Sequence, residues 1–362
     1  GEIEKESMEK QTMKIIFVLP DMPGGGTERV VALLANEYIK RGYSVAILLF
    51  AGKQTAYPLD ERIEIMIAGE PSAGNPLIQL KRLFRMRQYY KKNRDCYIFS
   101  FCVRGSIFSV LAAAGIPHRL LISERNDPAH FSGKRLRDWS YRKAEKLILQ
   151  TEDMKQCFSK RIQQKSAIIP NPVSNDMPEP YMGERKKRVV AVGRLQPQKN
   201  HKLLLEAFAD FQKTYHDYEL HIFGVGELEK TLKQQAEELH ISDKVAFRGF
   251  SSSVQKEIWD SSMFVLSSDY EGISNSMIEA LAMGVPVIST DCPAGGSRMY
   301  IRNHENGILV PVGDKKALSE AMIKIAGNPE FARQLSLNGA KIKEQYGLEK
   351  IADRFLEEAQ QL

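Results

Sequence analysis

Glu271 and Glu279 stand with seven residues between them, and the run they bracket, Gly272-Ile273-Ser274-Asn275-Ser276-Met277-Ile278, carries no charge of its own. An apolar segment, Met263 to Leu266, precedes the run and reads as a strand; an apolar helix follows and extends to Met283. Ser274 or Asn275 can cap that helix, leaving backbone N–H groups and the positive end of its dipole facing outward. A strand, a small-residue turn and a helix N-terminus together make an anion site. Carboxylates repel phosphate, so the chemistry open to the flanking pair is to accept hydrogen bonds from hydroxyls on either side of the anion. A ligand with hydroxyls on both sides of a diphosphate is a nucleotide sugar. Taken alone, the same residues also read as a helix with a solvated Glu279 and a loop Glu271.

A second set of residues fits the same ligand. Lys187 to Val192 is an apolar run suited to a buried strand, and it leads into Gly193-Arg194-Leu195-Gln196-Pro197-Gln198-Lys199-Asn200. Pro197 stiffens the turn and Asn200 caps a helix whose apolar side comprises Leu203, Leu204, Ala207, Phe208 and Phe211. Arg194 and Lys199 thus share one strand-to-helix loop. In an open parallel sheet such loops lie at the carboxyl ends of the strands, where ligands bind. Two cations and two helix N-termini facing one crevice can neutralise a diphosphate without a metal.

The elements that must hold these loops alternate strand and helix twice along the chain. Strands are expected at Lys14–Leu19, Ser44–Phe50, Ile63–Ile67, Tyr97–Phe101, Leu120–Ser123, Lys146–Gln150 and Ala167–Ile169. Helices are expected at Glu28–Arg41 and over 76–93, 105–115, 133–143 and 153–161. After a linker over Asn175–Lys187 the pattern restarts at Val189, with strands at Glu219–Phe223, Lys244–Phe247, Met263–Leu266, Pro286–Ser289 and Gly307–Val310. Such alternation implies an α/β chain with one parallel sheet per half. At 362 residues the chain exceeds what a single core usually holds, in agreement with two domains.

Gly193-Arg194-Leu195 with Lys199-Asn200, then Glu271-x7-Glu279 and Ala280-Leu281-Ala282-Met283-Gly284-Val285-Pro286-Val287, closely resembles the retaining glycosyltransferases of family 4. The segment Pro20 to Val30, with Gly24-Gly25-Gly26-Thr27-Glu28-Arg29, is similar to that family's first loop, and Ile169-Pro170-Asn171-Pro172-Val173 to its passage between domains. The resemblance implies the GT-B fold, two Rossmann-like domains facing across a cleft. Residues 1–172 would form the acceptor-side domain, 173–345 the nucleotide-sugar-binding domain, and 346–362 a helix crossing back to the first. It further implies a catalytic set of Arg194, Lys199 and Glu271, the cations on the diphosphate and Glu271 on the sugar hydroxyls. The backbone of Gly272, Ile273, Ser274 and Asn275 would hold phosphate oxygens and Glu279 the ribose. Gly224, Arg248 and Phe250 would lie at the nucleobase, and Gly24, Gly25 and Gly26 would let the first domain approach the donor phosphate. Where the family often has a histidine, this chain reads Ser123-Glu124-Arg125-Asn126, so Glu124 and Arg125 become the acceptor-side candidates.

Charge is divided unevenly. Residues 1–172 carry 28 Lys+Arg against 18 Asp+Glu, a net of +10; the remainder carries 23 against 27, a net of −4. One basic cluster, Lys81, Arg82, Arg85, Arg87, Lys91, Lys92 and Arg94, is interleaved with Leu77, Ile78, Leu80, Leu83, Phe84 and Met86; a second runs from Lys134 to Lys146. A basic helix with apolar neighbours can lie on an anionic bilayer, or its apolar members can pack on the sheet beneath a solvated face. No helix-turn-helix, RNP-like or zinc-finger pattern accompanies the clusters, so nucleic acid is not an expected partner.

Other chemistries are not supported. Gly24, Gly26 and Arg29 do not complete G-x-G-x-x-G, no P-loop is present, and Asp269-x-Glu271 is the nearest approach to an Asp-x-Asp metal pair. The histidines lack i,i+4 pairing, and Cys96, Cys102, Cys157 and Cys292 lack metal-ligand spacing; four scattered cysteines suggest reduced thiols and a cytoplasmic setting. Gly1 to Thr12 is polar and acidic and does not read as a signal peptide, and the longest apolar stretch, Ile107 to Ile116, is too short to span a bilayer. The expectation is therefore a retaining glycosyltransferase that needs no metal or cofactor. It would move a hexose or N-acetylhexosamine from a nucleoside-diphosphate sugar, UDP-linked by analogy, to a glycan or polyprenyl-diphosphate-linked acceptor for cell-surface polysaccharide. It would work in the cytoplasm, peripherally on the inner face of the membrane. The alternatives are a nucleotide-sugar epimerase of similar fold and a nucleic-acid-binding protein using the basic half.

Overall fold

The computed structural model describes residues 13–53, 55–71 and 74–362; the polar, acidic segment Gly1–Thr12 lies outside them. Two compact units result. The first runs to Pro172 and includes Leu348–Leu362, and the second is Val173–Gly347.

In the first unit the elements are β1 (Lys14–Leu19), α1 (Gly26–Lys40), β2 (Ser44–Leu49), β3 (Glu64–Ile67), α2 (Pro76–Lys92), β4 (Cys96–Ser100) and α3 (Val103–Ala112). They continue with β5 (His118–Ser123), α4 (Lys134–Lys143), β6 (Lys146–Leu149), α5 (Glu152–Gln156), α6 (Lys160–Gln163) and β7 (Ser166–Ile168). The strands form one parallel sheet in the order β3-β2-β1-β4-β5-β6-β7. The central strands are apolar on both faces because helices cover both, and β1 is buried from Ile15 to Leu19. The helix expected over 153–161 is two. Phe158 is drawn into the core against Tyr141 (ring centroids 5.7 Å apart) and under the Arg137 guanidinium (4.8 Å), which turns the chain between α5 and α6.

The second unit comprises β8 (Lys186–Val192), α7 (His201–Gln212), β9 (Glu219–Phe223), α8 (Glu229–Glu238), β10 (Val245–Gly249), α9 (Val254–Ile258), β11 (Ser261–Leu266) and α10 (Asn275–Ala282). After these come β12 (Val287–Thr290), α11 (Gly296–Tyr300), β13 (Ile308–Val310), α12 (Lys315–Gly327), α13 (Pro329–Ala340) and α14 (Ile342–Tyr346). The sheet order is β10-β9-β8-β11-β12-β13, parallel throughout. Leu203, Leu204, Ala207, Phe208 and Phe211, the apolar side of α7, are buried against Val189, Ala191, Ile222 and Met263 in one core. The segment expected to be a linker is bound to this unit. Arg185 donates to the carbonyls of Trp259 (3.0 Å), Ser261 (3.0 Å) and Gly284 (2.7 Å), and Lys186 and Lys187 already open β8.

Helix α15 (Leu348–Gln360) buries Leu348, Ile351, Ala352, Phe355, Leu356 and Ala359, one stripe at helical spacing. That stripe packs on the first unit. The Phe355 ring lies 6.0 Å from both Phe99 and Phe101, the Tyr38 hydroxyl donates to the Ala352 carbonyl (2.9 Å), and Arg41 pairs with Asp353 (2.5 Å).

Candidate functional site

Strand order reverses in the second sheet at β8 and β11: the chain runs outward from β8 through β9 to β10, then returns to the other side of β8. Loops leaving the carboxyl ends of β8 and β11 therefore meet at a topological switch point, the place where open α/β sheets bind ligands. One loop is Gly193–Asn200 and the other Ser267–Ser274, and the two are stitched together. The Asp269 N–H donates to the Gln198 carbonyl (2.9 Å), Gln198 Nε2 to the Tyr270 carbonyl (3.0 Å), Ser267 Oγ to the Lys199 carbonyl (2.9 Å) and Asn200 Nδ2 to Asp269 Oδ1 (2.7 Å). Asp269, the nearest thing to a metal-pair acid, is thus engaged in holding the Asn200 cap.

Each loop ends at a capped helix. The Asn200 side chain accepts from the Leu203 N–H (3.1 Å) at the start of α7, and Ser274 Oγ from the Met277 N–H (3.4 Å) at the start of α10. Ser276 Oγ donates to the Val192 carbonyl (3.1 Å), which fixes the N-terminus of α10 beside the end of β8. Both helix ends expected to face the anion site are thus brought together.

The charged residues meet there in distinct states. Arg194 is exposed, and its guanidinium has no partner among the described residues. Lys199 is 13% exposed and donates to Glu271 Oε2 at 2.5 Å, which also accepts from Ser268 Oγ (3.0 Å). Cation and carboxylate, expected to meet different parts of a ligand, therefore neutralise one another in this state. Two neighbours stay uncharged at neutral pH: burial, then the Lys199 ammonium, hold His201 down at about 4, and burial, then Glu271, push Cys292 up to about 12. Glu279 is not solvated. It is 6% exposed, and its Oε2 accepts from Gln255 Nε2 at 2.8 Å.

The nucleobase candidates lie on the adjacent strand ends. The loops after β8 and β9 are zipped by Gly193 N–H to Phe223 O (2.9 Å) and Leu195 N–H to Val225 O (3.0 Å), and Gly224 donates to Gly249 O (2.7 Å). Gly224 has φ +136°, and a Cβ there would stand 2.0 Å from the Gly193 carbonyl oxygen, so only glycine fits. Phe250 is 69% exposed, leaving its ring face available for stacking, and Arg248 stands beside it, 3.7 Å from Glu257.

Sequence reasoning missed the loop after β12. A Cβ on Gly296 would stand 1.8 Å from the Gly272 carbonyl oxygen, so the N-terminus of α11 presses on the backbone that carries Gly272. The Gly-Gly pair at 295–296 was the only signal available.

Candidates in the first unit fare differently. Gly24, Gly25 and Gly26 follow β1 beside the switch of the first sheet; Gly25 caps α1, and the Tyr57 hydroxyl donates to the carbonyls of Gly24 (2.9 Å) and Gly25 (3.0 Å). Glu124 and Arg125, the acceptor-side candidates, turn inward. Glu124 accepts from the Tyr141 hydroxyl (2.6 Å) and from the N–H groups of Arg125 (3.0 Å) and Asn126 (3.2 Å), and burial raises its pKa. Arg125 donates to Ser123 Oγ (3.2 Å) and to Asn171, with its guanidinium 5.4 Å from the Phe101 ring centre.

The basic clusters also need correction. Arg82 and Arg137 are buried: Arg82 donates to the Glu70 carbonyl (2.7 Å) and packs beside the rings of Phe50 and Phe108, and Arg137 donates to the Pro128 carbonyl (2.8 Å). Arg87 donates to the carbonyls of Ala112 and Ala114 at the end of α3. What α2 exposes is an apolar ridge of Leu77, Leu80 and Phe84, flanked by the exposed Lys81 and Arg85. Among the described residues no helix is long and apolar enough to cross a membrane.

A family model described as glycosyl transferases group 1 matches residues 174–342, and one described as glycosyltransferase family 4 matches residues 24–176. An uncharacterized glycosyltransferase of Haemophilus influenzae is 28% identical over 349 residues, 94% of this chain and 97% of that protein. A Campylobacter jejuni protein named as an α-1,4-N-acetyl-D-galactosaminyltransferase acting on GalNAc-α-(1→4)-GalNAc-α-(1→3)-diNAcBac-PP-undecaprenol is 25% identical, over 95% of this chain and 97% of its own. Among solved structures, Anabaena HepE in complex with UDP superposes with a TM-score of 0.82 at 19% identity, over 97% of this chain and 100% of that one, a likeness of fold.

Proposed function

The chain belongs to the family 4 glycosyltransferases, with the GT-B fold, and from that premise we propose that it transfers a hexose or N-acetylhexosamine from a UDP-sugar with retention of anomeric configuration. The observation that carries this reading is the cross-stitched pair of loops in the second unit, which gathers Arg194, Lys199, Glu271, two helix N-termini and the buried Glu279 at one switch point. In this reading Arg194, Lys199 and the N–H groups of Gly272 to Asn275 take the diphosphate. Glu279 takes the ribose, Glu271 the sugar hydroxyls, and Gly224, Arg248 and Phe250 flank the base. The bond from the anomeric carbon to the diphosphate oxygen breaks, a new one forms to the acceptor hydroxyl oxygen as its proton passes to the departing diphosphate, and the charge that grows on the leaving group meets the cations. The UDP bound in Anabaena HepE and the lipid-linked acceptor of the Campylobacter relative support UDP and a polyprenyl-diphosphate-linked glycan as the partners here.

Cations and helix ends replace a metal in this scheme, so sugar transfer to such an acceptor should persist in excess EDTA, with the product's anomeric proton coupling matching the donor's. Activity that vanishes with chelator and returns with Mg²⁺ or Mn²⁺ would refute the account of diphosphate neutralisation. Inverted product would refute retention.

A lipid-linked acceptor requires the enzyme at the bilayer, and the Leu77, Leu80 and Phe84 ridge with Lys81 and Arg85 is the surface suited to dock there. Each cation near an anionic surface contributes about 1 kcal/mol, and the attraction falls within a Debye length. Wild-type protein should co-sediment with phosphatidylglycerol-rich vesicles and be released by moderate salt; Lys81→Glu with Arg85→Glu, or Leu80→Ser with Phe84→Ser, should remain in solution. Equal retention on neutral and anionic vesicles would leave α2 a solvated face and favour a water-soluble acceptor.

A further inference from the structure

Helix α9 is a single short turn of chain between β10 and β11, yet it is tied on both sides. Its Glu257 accepts from Ser251 Oγ and faces the Arg248 guanidinium at 3.7 Å, while its main-chain carbonyl accepts from Arg188 Nη2 at 2.8 Å. Two residues earlier, Gln255 Nε2 donates to Glu279 Oε2 at 2.8 Å. One element therefore joins the loop of Arg248 and Phe250 to the buried carboxylate of α10.

We propose that Gln255 is a positioning residue that fixes the Glu279 carboxylate and thereby sets the site's selectivity for ribonucleotides over their 2′- and 3′-deoxy counterparts. The proposal rests on the reading of Glu279 as the ribose partner. The terminal torsion of a glutamate is broad, so a carboxylate that must meet two vicinal hydroxyls needs an external constraint. A neutral amide supplies it. It occupies one of the roughly four acceptor sites of the carboxylate and leaves the negative charge in place to draw the hydroxyl protons. A lysine or arginine at the same spot would also orient Glu279, but would neutralise the charge that makes it a strong acceptor. Because Glu279 is almost fully buried, water can do little to substitute for the amide.

The test is calorimetric titration of the full-length protein with UDP, 2′-deoxy-UDP and 3′-deoxy-UDP, comparing wild type, Gln255→Met, Gln255→Ala and Glu279→Gln. Wild type should prefer UDP by roughly tenfold or more, as expected of hydrogen bonds to a charged group. In both Gln255 variants UDP affinity should fall while the deoxy nucleotides change by less than about twofold, so that the preference collapses toward unity as it does in Glu279→Gln. The ratio is internal to each variant and is unaffected by a lower active fraction. Full selectivity in Gln255→Met and Gln255→Ala beside lost selectivity in Glu279→Gln would overturn the role of Gln255 alone. Equal weakening of all three nucleotides in the Gln255 variants would also overturn it, leaving a structural contact. Selectivity that survives in Glu279→Gln would instead overturn the ribose assignment on which the proposal rests.

Discussion

Arg194→Ala should lower kcat/KM by about 30- to 800-fold, a loss of about 2–4 kcal/mol of transition-state stabilisation, with the greater part in kcat. The guanidinium is exposed and has no protein partner among the described residues, so its full hydrogen-bonding capacity is available to a leaving diphosphate. Arg194→Lys should rescue poorly, because a point charge cannot reproduce the planar fork. Lys199→Ala has a comparable effect with a second component. Lys199 and Glu271, 13% and 14% exposed, are paired at 2.5 Å, and removing the lysine leaves the carboxylate without its cation. Lys199→Ala combined with Glu271→Gln should therefore cost less than the sum of the two single changes. Steady-state kinetics on these variants, with Glu271→Gln alone beside them, decide the matter. Wild-type turnover in both alanine variants would remove the two cations from the mechanism.

Gly296→Ala should weaken UDP binding by about 1–3 kcal/mol, roughly 5- to 150-fold, through a methyl group that never touches the ligand. The added Cβ would stand 1.8 Å from the Gly272 carbonyl oxygen, and both partners are backbone, so no flexible side chain can yield. The loop must shift, taking with it the N–H groups ahead of α10. Circular dichroism should show an intact fold while calorimetry shows the loss; unchanged UDP affinity would mean that the Gly272 backbone takes no part in holding the nucleotide.

How much of this was legible in the sequence follows from what each residue responds to. Strand alternation, the Ser274 and Asn200 caps and the apolar side of α7 are local or periodic features, and each appears within a residue or two of its expected place. Arg194, Lys199, Glu271 and Glu279 were legible because a motif spaces them along the chain and the parallel sheet gathers strand ends. Gln255 was not: α9 is five residues long and shows no period, and its partner lies 24 residues away. Gly296 was hidden for a like reason, since its requirement comes from a backbone in another loop. Arg82 and Arg137 misled because cations in a basic run read as solvated, whereas aromatic rings and carbonyls shelter both. Glu124 and Arg125 stand at the end of a strand facing the ligand side, but Tyr141 and Asn171, distant in sequence, turn them inward.

The central claim is that the second unit binds a nucleoside diphosphate chiefly through Arg194 and Lys199. Calorimetric titration of wild type and Arg194→Ala with UDP and with uridine tests it most directly. The account predicts that wild type binds UDP far more tightly than uridine, that Arg194→Ala loses most of that difference, and that uridine binds both proteins alike. Equal affinity of wild type and Arg194→Ala for UDP, or wild-type binding of uridine as tight as that of UDP, would contradict it.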